Sequence, residues 1–494
     1  MIHFFFRRSN ILTASLLSLL HFGASGQNVN DLVRYSQTQM QGSARFEAMA
    51  GAFGALGSDM SCALINPAGY GRYSSSQANI GFNFSNIQNT GIFEGTNAKD
   101  SRNPFKLGSL GVVLVGDISE SNKGFLYHQF GISYNRVENF SNNVRYEGQL
   151  FESLLDGFAS QANGYAVDEL QASFPFSTSL AWQTYAIDED GNGGYVPRLT
   201  SGDMYHRREV ETRGGISEYS FSYSANYLNK LYLGVNWGIR VGKYTEKYTH
   251  REVLLDNAGV TLDSFDYQYN LETRGKGNNL KIGVIYLPVE SLRLGLAIHT
   301  STYFQLKDDW NADMIAYHKD SIITVQDNIK PTADYKYRLR TPARLVGSIG
   351  YVFGTSGCID VDFEYVNYKW ANFKSTTDDV NYTPYDYIYE NDQADTTLRA
   401  VVNIRAGGEL VFQSQYFLRA GFAYYPQAYA TSQPNSLSGN KVYSVGFGFK
   451  WNDSSVDLAY KRQENQSNYY AFPESRALIK SAINSFILSY SVTF

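Results

Sequence analysis

Apolar and polar residues alternate with a period of two along most of this chain, and the pattern is cleanest where the chain stops. Phe486, Leu488, Tyr490, Val492 and Phe494 interleave with Ser485, Ser489, Ser491 and Thr493. The same period runs through 78–84, 231–239, 292–298, 359–365 and 443–451. Successive side chains of a strand point to opposite faces, so each segment predicts a strand with one apolar and one polar face. About fourteen strands can be counted, near 77–86, 107–117, 125–138, 203–228, 230–254, 261–287, 291–307, 332–354, 357–370, 398–412, 415–426, 440–452, 454–464 and 481–494.

A half-buried soluble sheet alternates too, so the connections must decide. They are short after even-numbered strands, at 228–230, 288–291, 354–357, 413–415 and 452–454, and long after most odd-numbered ones, at 141–202, 308–331 and 371–397. Outer-membrane barrels sort their connections in this way, with short periplasmic turns and long outer loops. The pattern predicts an all-β fold: a fourteen-stranded antiparallel transmembrane β-barrel over 77–494, with both termini periplasmic. Lipid would cover its outer face.

The start of the chain changes the picture in one respect. Arg7 and Arg8 precede an apolar run over 11–22 and then Gly23, Ala24, Ser25 and Gly26, which predicts a secretory signal peptide over 1–26. Beyond it no run of 18 apolar residues occurs, so no ordinary membrane helix is expected. An exported barrel then belongs in the outer membrane of a Gram-negative cell. Abundant Tyr (39), Phe (31) and Gly (43) suit aromatic strands in lipid. The net charge of −5, more negative once Arg7 and Arg8 are gone, gives nucleic acid no reason to bind.

Arg293, His299, Asp360, Asp362, Glu364, Arg405, Glu409, Arg419, Asp457 and Lys461 fall on the polar face. A basic residue turned to lipid near the midplane would cost roughly 2–4 kcal/mol, so these side chains are expected in the lumen, in ion pairs of mixed sign. Asp188, Asp190 and Asn192 with Gly193 form a weak half of a calcium loop, whose twelfth position is Leu199 where a Glu is needed. His128 and His299 lie near serines without a nucleophile motif, and no metal-type Cys/His spacing or phosphate-binding glycine loop is present. No enzymatic activity and no cofactor are expected. Cys62 and Cys358 are either a disulfide or two buried thiols.

Before the first strand, the segment 45–69 (RFEAMAGAFGALGSDMSCALINPAG) is rich in small residues and closes on Asn66-Pro67-Ala68-Gly69. It resembles the N-terminal hatch of the FadL/OmpP1/TodX family of outer-membrane transport proteins. The stretches 277–300, 340–344 and 418–424 are similar to that family's central hairpin and later strands. The resemblance implies a small helical hatch over 27–76 plugging the lumen, and passive uptake of hydrophobic molecules such as long-chain fatty acids or hydrocarbons. It also implies sideways exit at a kinked third strand, where Gly131 is the candidate kink. The alternative that it leaves open is an accessory barrel subunit of an outer-membrane secretion or protein-assembly complex, binding other outer-membrane or surface proteins. Phe46, Met49 and Phe53 of the hatch, with Leu150, Phe151, Leu154, Leu155 and Phe158 on one predicted helical face, are the candidate ligand or partner contacts.

Overall fold

The computed structural model describes residues 27–118, 124–199, 203–255, 261–376, 385–435, 437–473 and 475–494. The predicted signal peptide lies outside them. Fourteen antiparallel strands close into a barrel: β1 (Gln77–Phe93), β2 (Phe105–Asp117), β3 (Phe125–Asn139), β4 (Met204–Tyr227), β5 (Leu231–Leu254), β6 (Leu262–Val289), β7 (Leu292–His299 continued by Tyr303–His318), β8 (Thr332–Arg340 continued by Arg344–Val352), β9 (Gly357–Asn367), β10 (Ala400–Phe412), β11 (Tyr416–Tyr425), β12 (Asn440–Trp451), β13 (Ser454–Tyr470) and β14 (Arg476–Thr493). Closure is between β1 and β14, from Gln77 opposite Thr493 to Ile92 opposite Leu478. No sheet edge is left there.

The short connections are tight. Leu228 and Asn229 both take positive φ, as do Gln413 and Ser414, the conformation that a two-residue hairpin turn with right-handed strand twist demands. At the opposite end the strands run long. Each of β4, β5 and β6 has at least 24 residues, about twice what crosses a bilayer. Their outward apolar positions are confined to the half near the turns, including Phe221, Tyr223, Leu233, Val235, Trp237, Ile282 and Tyr286. Beyond that belt the outward residues include the charged Arg207, Glu209 and Arg213.

The last strand behaves as its alternation predicts: Phe486, Leu488 and Tyr490 are exposed while Ser485, Ser489 and Ser491 are buried. An apolar belt around the whole barrel is stable against lipid tails, not water. No helix among the described residues is long and apolar enough to cross a membrane.

Three features go beyond or correct the expectation. The long connections carry more structure than the one helical face predicted at 150–158: the first has a strand (Asn142–Leu150) on the upper part of β4 and a small helical cap, and the third a helix (Ile388–Thr397). β7 and β8 are each interrupted, at 300–302 and 341–343, where Thr302 N–H donates to the Thr341 hydroxyl (2.9 Å) and Thr341 N–H to the Thr302 carbonyl (3.0 Å). Pro342, which has no N–H to give a ladder, sits in that break. Finally, β1 runs on to Phe93 and forms a hairpin with Thr96–Arg102.

Candidate functional site

The hatch fills the lumen at the level of the belt. It contains α1 (Val29–Ser36), α2 (Ala44–Ala48) and two short 3-10 helices, Met60–Leu64 and Pro67–Arg72. Phe46, Met49 and Phe53 are fully buried, and Phe46 stacks on Phe53 at 5.5 Å between ring centroids. They form the hatch's own core with Leu56, Met60 and Cys62, so they are not open contacts for a ligand. Cys62 and Cys358 share that core as unpaired buried thiols.

The barrel makes room for the hatch with glycines on its inner face. A Cβ built on Gly283 would come within 1.9 Å of Asn66 Oδ1, and one on Gly234 within 2.3 Å of the Ala68 nitrogen. The Asn66-Pro67-Ala68-Gly69 motif lies in this notch. Asn66 Oδ1 accepts from Ala68 N–H (3.1 Å), its amide donates to the carbonyls of Gly54 (2.7 Å) and Val284 (3.1 Å), and Ser224 donates to the Pro67 carbonyl (2.7 Å). The Asn caps one end of a short helix and ties it to β6. Gly283→Val is therefore expected to expel the Asn66 side chain and leave buried polar groups unpaired, at a cost of about 1–3 kcal/mol. A lowered melting temperature in detergent, with new protease cleavage in the hatch, checks this.

Charges do the rest of the anchoring, largely at the positions read from the sequence. Asp362 accepts from Phe53 N–H (3.2 Å) and Gly54 N–H (3.1 Å), and Asp360 from Ala55 N–H (3.2 Å). Arg405 joins Asp362 (3.4 Å) to Glu364 (3.0 Å). Glu409 takes both Arg45 of the hatch (2.9 Å) and Arg419 (2.6 Å), and Arg419 continues to Asp457 (2.6 Å). His299 bonds the Ile65 carbonyl (2.7 Å), Arg293 the Leu56 carbonyl (3.1 Å), and Lys461 pairs with Glu47. Sequence reasoning missed the hatch partners Arg45 and Glu47 and a second buried cluster, Glu218 with Arg240 (2.9 Å) and Lys281. Glu218, Arg240 and Lys281 stand on inward positions of predicted strands, and that was the available signal.

Above the hatch, toward the long connections, lies a cavity of about 620 Å³. Amides and tyrosines line it, among them Asn28, Asn403, Asn440, Asn468, Tyr244 and Tyr429. The Oδ1 atoms of Asn435, Asn440 and Asn468 are buried there without a hydrogen-bond partner among the described residues. Arg34, its cation, is taken up by Asp31 and lies over the Tyr244 ring at 4.0 Å.

This cavity reaches the wall at β3. The β2–β3 ladder runs only from Asp117–Tyr127 to Ser109–Asn135. Beyond it β3 turns to the hatch: Gln39 N–H donates to the Val137 carbonyl (2.9 Å) and Gln41 N–H to that of Arg136 (2.7 Å), while the register with β4 slips between Arg136 and Glu138. Side chains replace the missing ladder. Lys106 donates to Ser141 (2.7 Å) and Asn139, and Arg102 bridges Asn143 (2.9 Å) and Glu211 (2.7 Å). Outside this seam is a cleft of about 480 Å³ lined by Arg102, Pro104, Lys106, Arg136, Ser141 and Asn143. Asn139 and Asn142 line the inner cavity and Ser141 and Asn143 the outer cleft, so the two spaces lie on either side of the wall where β3 ends.

Gly131 is not that bend. It pairs regularly with Val113 and Ser222, and a Cβ there would meet the Tyr70 ring of the hatch at 2.1 Å. Its absent side chain admits Tyr70. The predicted greasy helix begins only at Leu154: Leu154, Leu155 and Phe158 of α3 (Leu154–Ala162) are buried against the upper barrel with Phe265 and Met314, and Phe151 points to solvent. That face closes the cap and is not free for a ligand. The half calcium loop is also spoken for. Asp190 accepts from Asn192 N–H (2.7 Å) and Gly194 N–H (2.9 Å), and Asp188 pairs with Arg198 (2.6 Å).

No family model and no curated protein matches the chain. Solved structures do. A Pseudomonas aeruginosa FadL homologue superposes over 92% of this chain and 98% of its own, with a TM-score of 0.53 and 16% identity. The Pseudomonas putida toluene transporter TodX superposes over 93% and 100%, with a TM-score of 0.52 and 14% identity. The chain shares the fold of these two proteins.

Proposed function

We propose that the protein is an outer-membrane channel for passive uptake of small hydrophobic compounds, which enter the cavity above the hatch and leave sideways through the β2–β3 seam. The observation that carries the reading is the placement of the 620 Å³ cavity and the 480 Å³ cleft on either side of the wall at 139–143, where the β2–β3 ladder has ended and side-chain bonds take its place. Straight passage is opposed by the hatch, whose backbone and charges are bonded to the wall on several sides. The likeness to a toluene transporter supports the same substrate class.

The lining favours an uncharged compound over a long-chain carboxylate. Tyrosine rings offer carbon surface to an apolar body, while Arg34, the cation among the described lining residues, is already paired with Asp31. In cells whose own hydrophobic-compound channels are deleted, expression should raise toluene uptake several-fold and oleate uptake much less. Equal uptake with and without the protein would remove the channel reading. No separate observation favours the accessory-subunit alternative.

A further inference from the structure

Outside the lumen site, one buried group has no use in the passage described. His206 on β4 and His250 and Glu252 on β5 lie in the upper barrel, beyond the apolar belt. His250 and Glu252 are two residues apart and so share a face, and His206 stands directly opposite Glu252 in the ladder. All three are at least 99% buried. His250 Nε2 is 2.8 Å and His206 Nδ1 3.4 Å from the same oxygen, Glu252 Oε1, and the three ligand atoms lie within 4.8 Å of one another.

The hydrogen-bond accounting around His206 is the telling part. Its Nε2 lies 3.1 Å from the Leu150 carbonyl, which can only accept, so Nε2 carries the hydrogen. In the neutral ring Nδ1 then presents a lone pair, and it has no hydrogen-bond partner. What it faces is a carboxylate oxygen. Two electron-rich atoms turned toward each other in a dry site are repulsive unless a proton or a metal cation stands between them.

We infer that His206, His250 and Glu252 form a zinc-binding site that fastens the outer cap to the barrel. Two imidazole nitrogens with one carboxylate suit zinc, whereas calcium and magnesium take oxygen ligands. A tetrahedral zinc about 2.0–2.1 Å from each ligand would separate them by roughly 3.3 Å. The His206 to Glu252 spacing already fits, His250 must open from Glu252 by about half an ångström, and the two imidazole nitrogens, within 4.8 Å of each other, must come to the same spacing. The surroundings are those of an oriented ligand set. Leu150 fixes the His206 ring, and Glu252 accepts from Leu154 N–H (2.8 Å) and from the Ser153 hydroxyl at the start of α3. Phe265 and Phe472 pack on the His250 ring at 6.4 and 6.2 Å between centroids. Arg208, on the same face of β4, is turned onto the Tyr248 ring at 3.7 Å. The contacts of Leu150, Ser153 and Leu154 are how a metal here would hold the folded connection over the cavity.

The test uses the full-length protein in detergent, stripped with chelator, re-equilibrated with zinc and desalted. The expected result is about one zinc per chain, a higher melting temperature than the stripped protein, and slower protease cleavage within 151–199. Glu252→Gln and His206→Ala should each reduce retained zinc at least about tenfold while the barrel stays resistant to unfolding in detergent. Cobalt substitution in the wild type should give the strong visible absorption of a four-coordinate site, a readout that does not depend on any variant folding. Wild-type protein that retains no zinc and shows no thermal shift would overturn the assignment, as would variants that retain zinc at the wild-type level. Toluene uptake is measured separately, so failure here leaves the channel reading standing.

Discussion

Cysteines placed at Lys106 and Ser141 and joined by a short bis-thiosulfonate, which loses a sulfinate at each thiol, should reduce toluene uptake at least about tenfold, and the single-cysteine controls should not respond. The expectation follows from the wall. From Asp117–Tyr127 to Ser109–Asn135 the two strands are tied by a continuous ladder, and above it only side chains cross. Lys106 to Ser141 is one of those crossings, at 2.7 Å. A polar side-chain contact nets only about 1 kcal/mol and re-forms readily, so the seam can part under thermal motion, whereas a covalent strap cannot. Cys62 and Cys358 are buried, so the reagent meets only the introduced pair. The opposite change, Lys106→Ala with Arg102→Ala, removes the crossing bonds and should raise uptake. Unchanged uptake after complete cross-linking would place the exit elsewhere.

The second large effect concerns the plug. Replacing Asp360 and Asp362 together by Ala should release the hatch and convert a tight barrel into one that conducts ions. Three backbone N–H groups of the hatch, at Phe53, Gly54 and Ala55, lose their acceptors, and Arg405 loses one of two buried counter-charges. Breaking one side of a buried ion pair costs about 3–5 kcal/mol. At 1.4 kcal/mol per tenfold, that moves the displaced population up by at least about a hundredfold. Recordings in planar bilayers check it. The wild type should be nearly silent and the double variant should show frequent open steps. The barrel itself should persist, because the strand ladders on either side of β9 are untouched.

Much of this was readable before any coordinates. Alternation needs no partner to be seen, so strands such as β14 and β9 and their inward carboxylates follow from the pleat alone. Charges facing lipid are costly enough that Asp360, Asp362, Glu364 and Arg405 had only one side to go to. What the pattern cannot carry is register. The His206, His250 and Glu252 cluster exists because two strands align His206 with Glu252, and nothing in the local sequence of either strand announces it. Gly131 shows the same gap from the other direction. A strand glycine marks a close approach or a bend, and which one depends on the Tyr70 side chain brought in from the hatch. The bend itself, at 136–143, arises because Gln39 and Gln41 capture the free edge of β3, a contact between segments far apart in the chain. The outer cap was legible only in part. The apolar face of Leu154–Ala162 showed at three-to-four spacing, whereas the helices Leu170–Ser173 and Thr178–Gln183 are too short for a 3.6 period to show.

The central claim is that the lumen is shut along its axis while hydrophobic compounds leave through the wall. Uptake of toluene and of a hydrophilic solute that an open barrel would pass, such as the chromogenic antibiotic nitrocefin, can be compared in the same cells with and without the protein. The account predicts that toluene entry rises several-fold and nitrocefin entry stays at background. A parallel rise of both would mean an open aqueous pore and would contradict it.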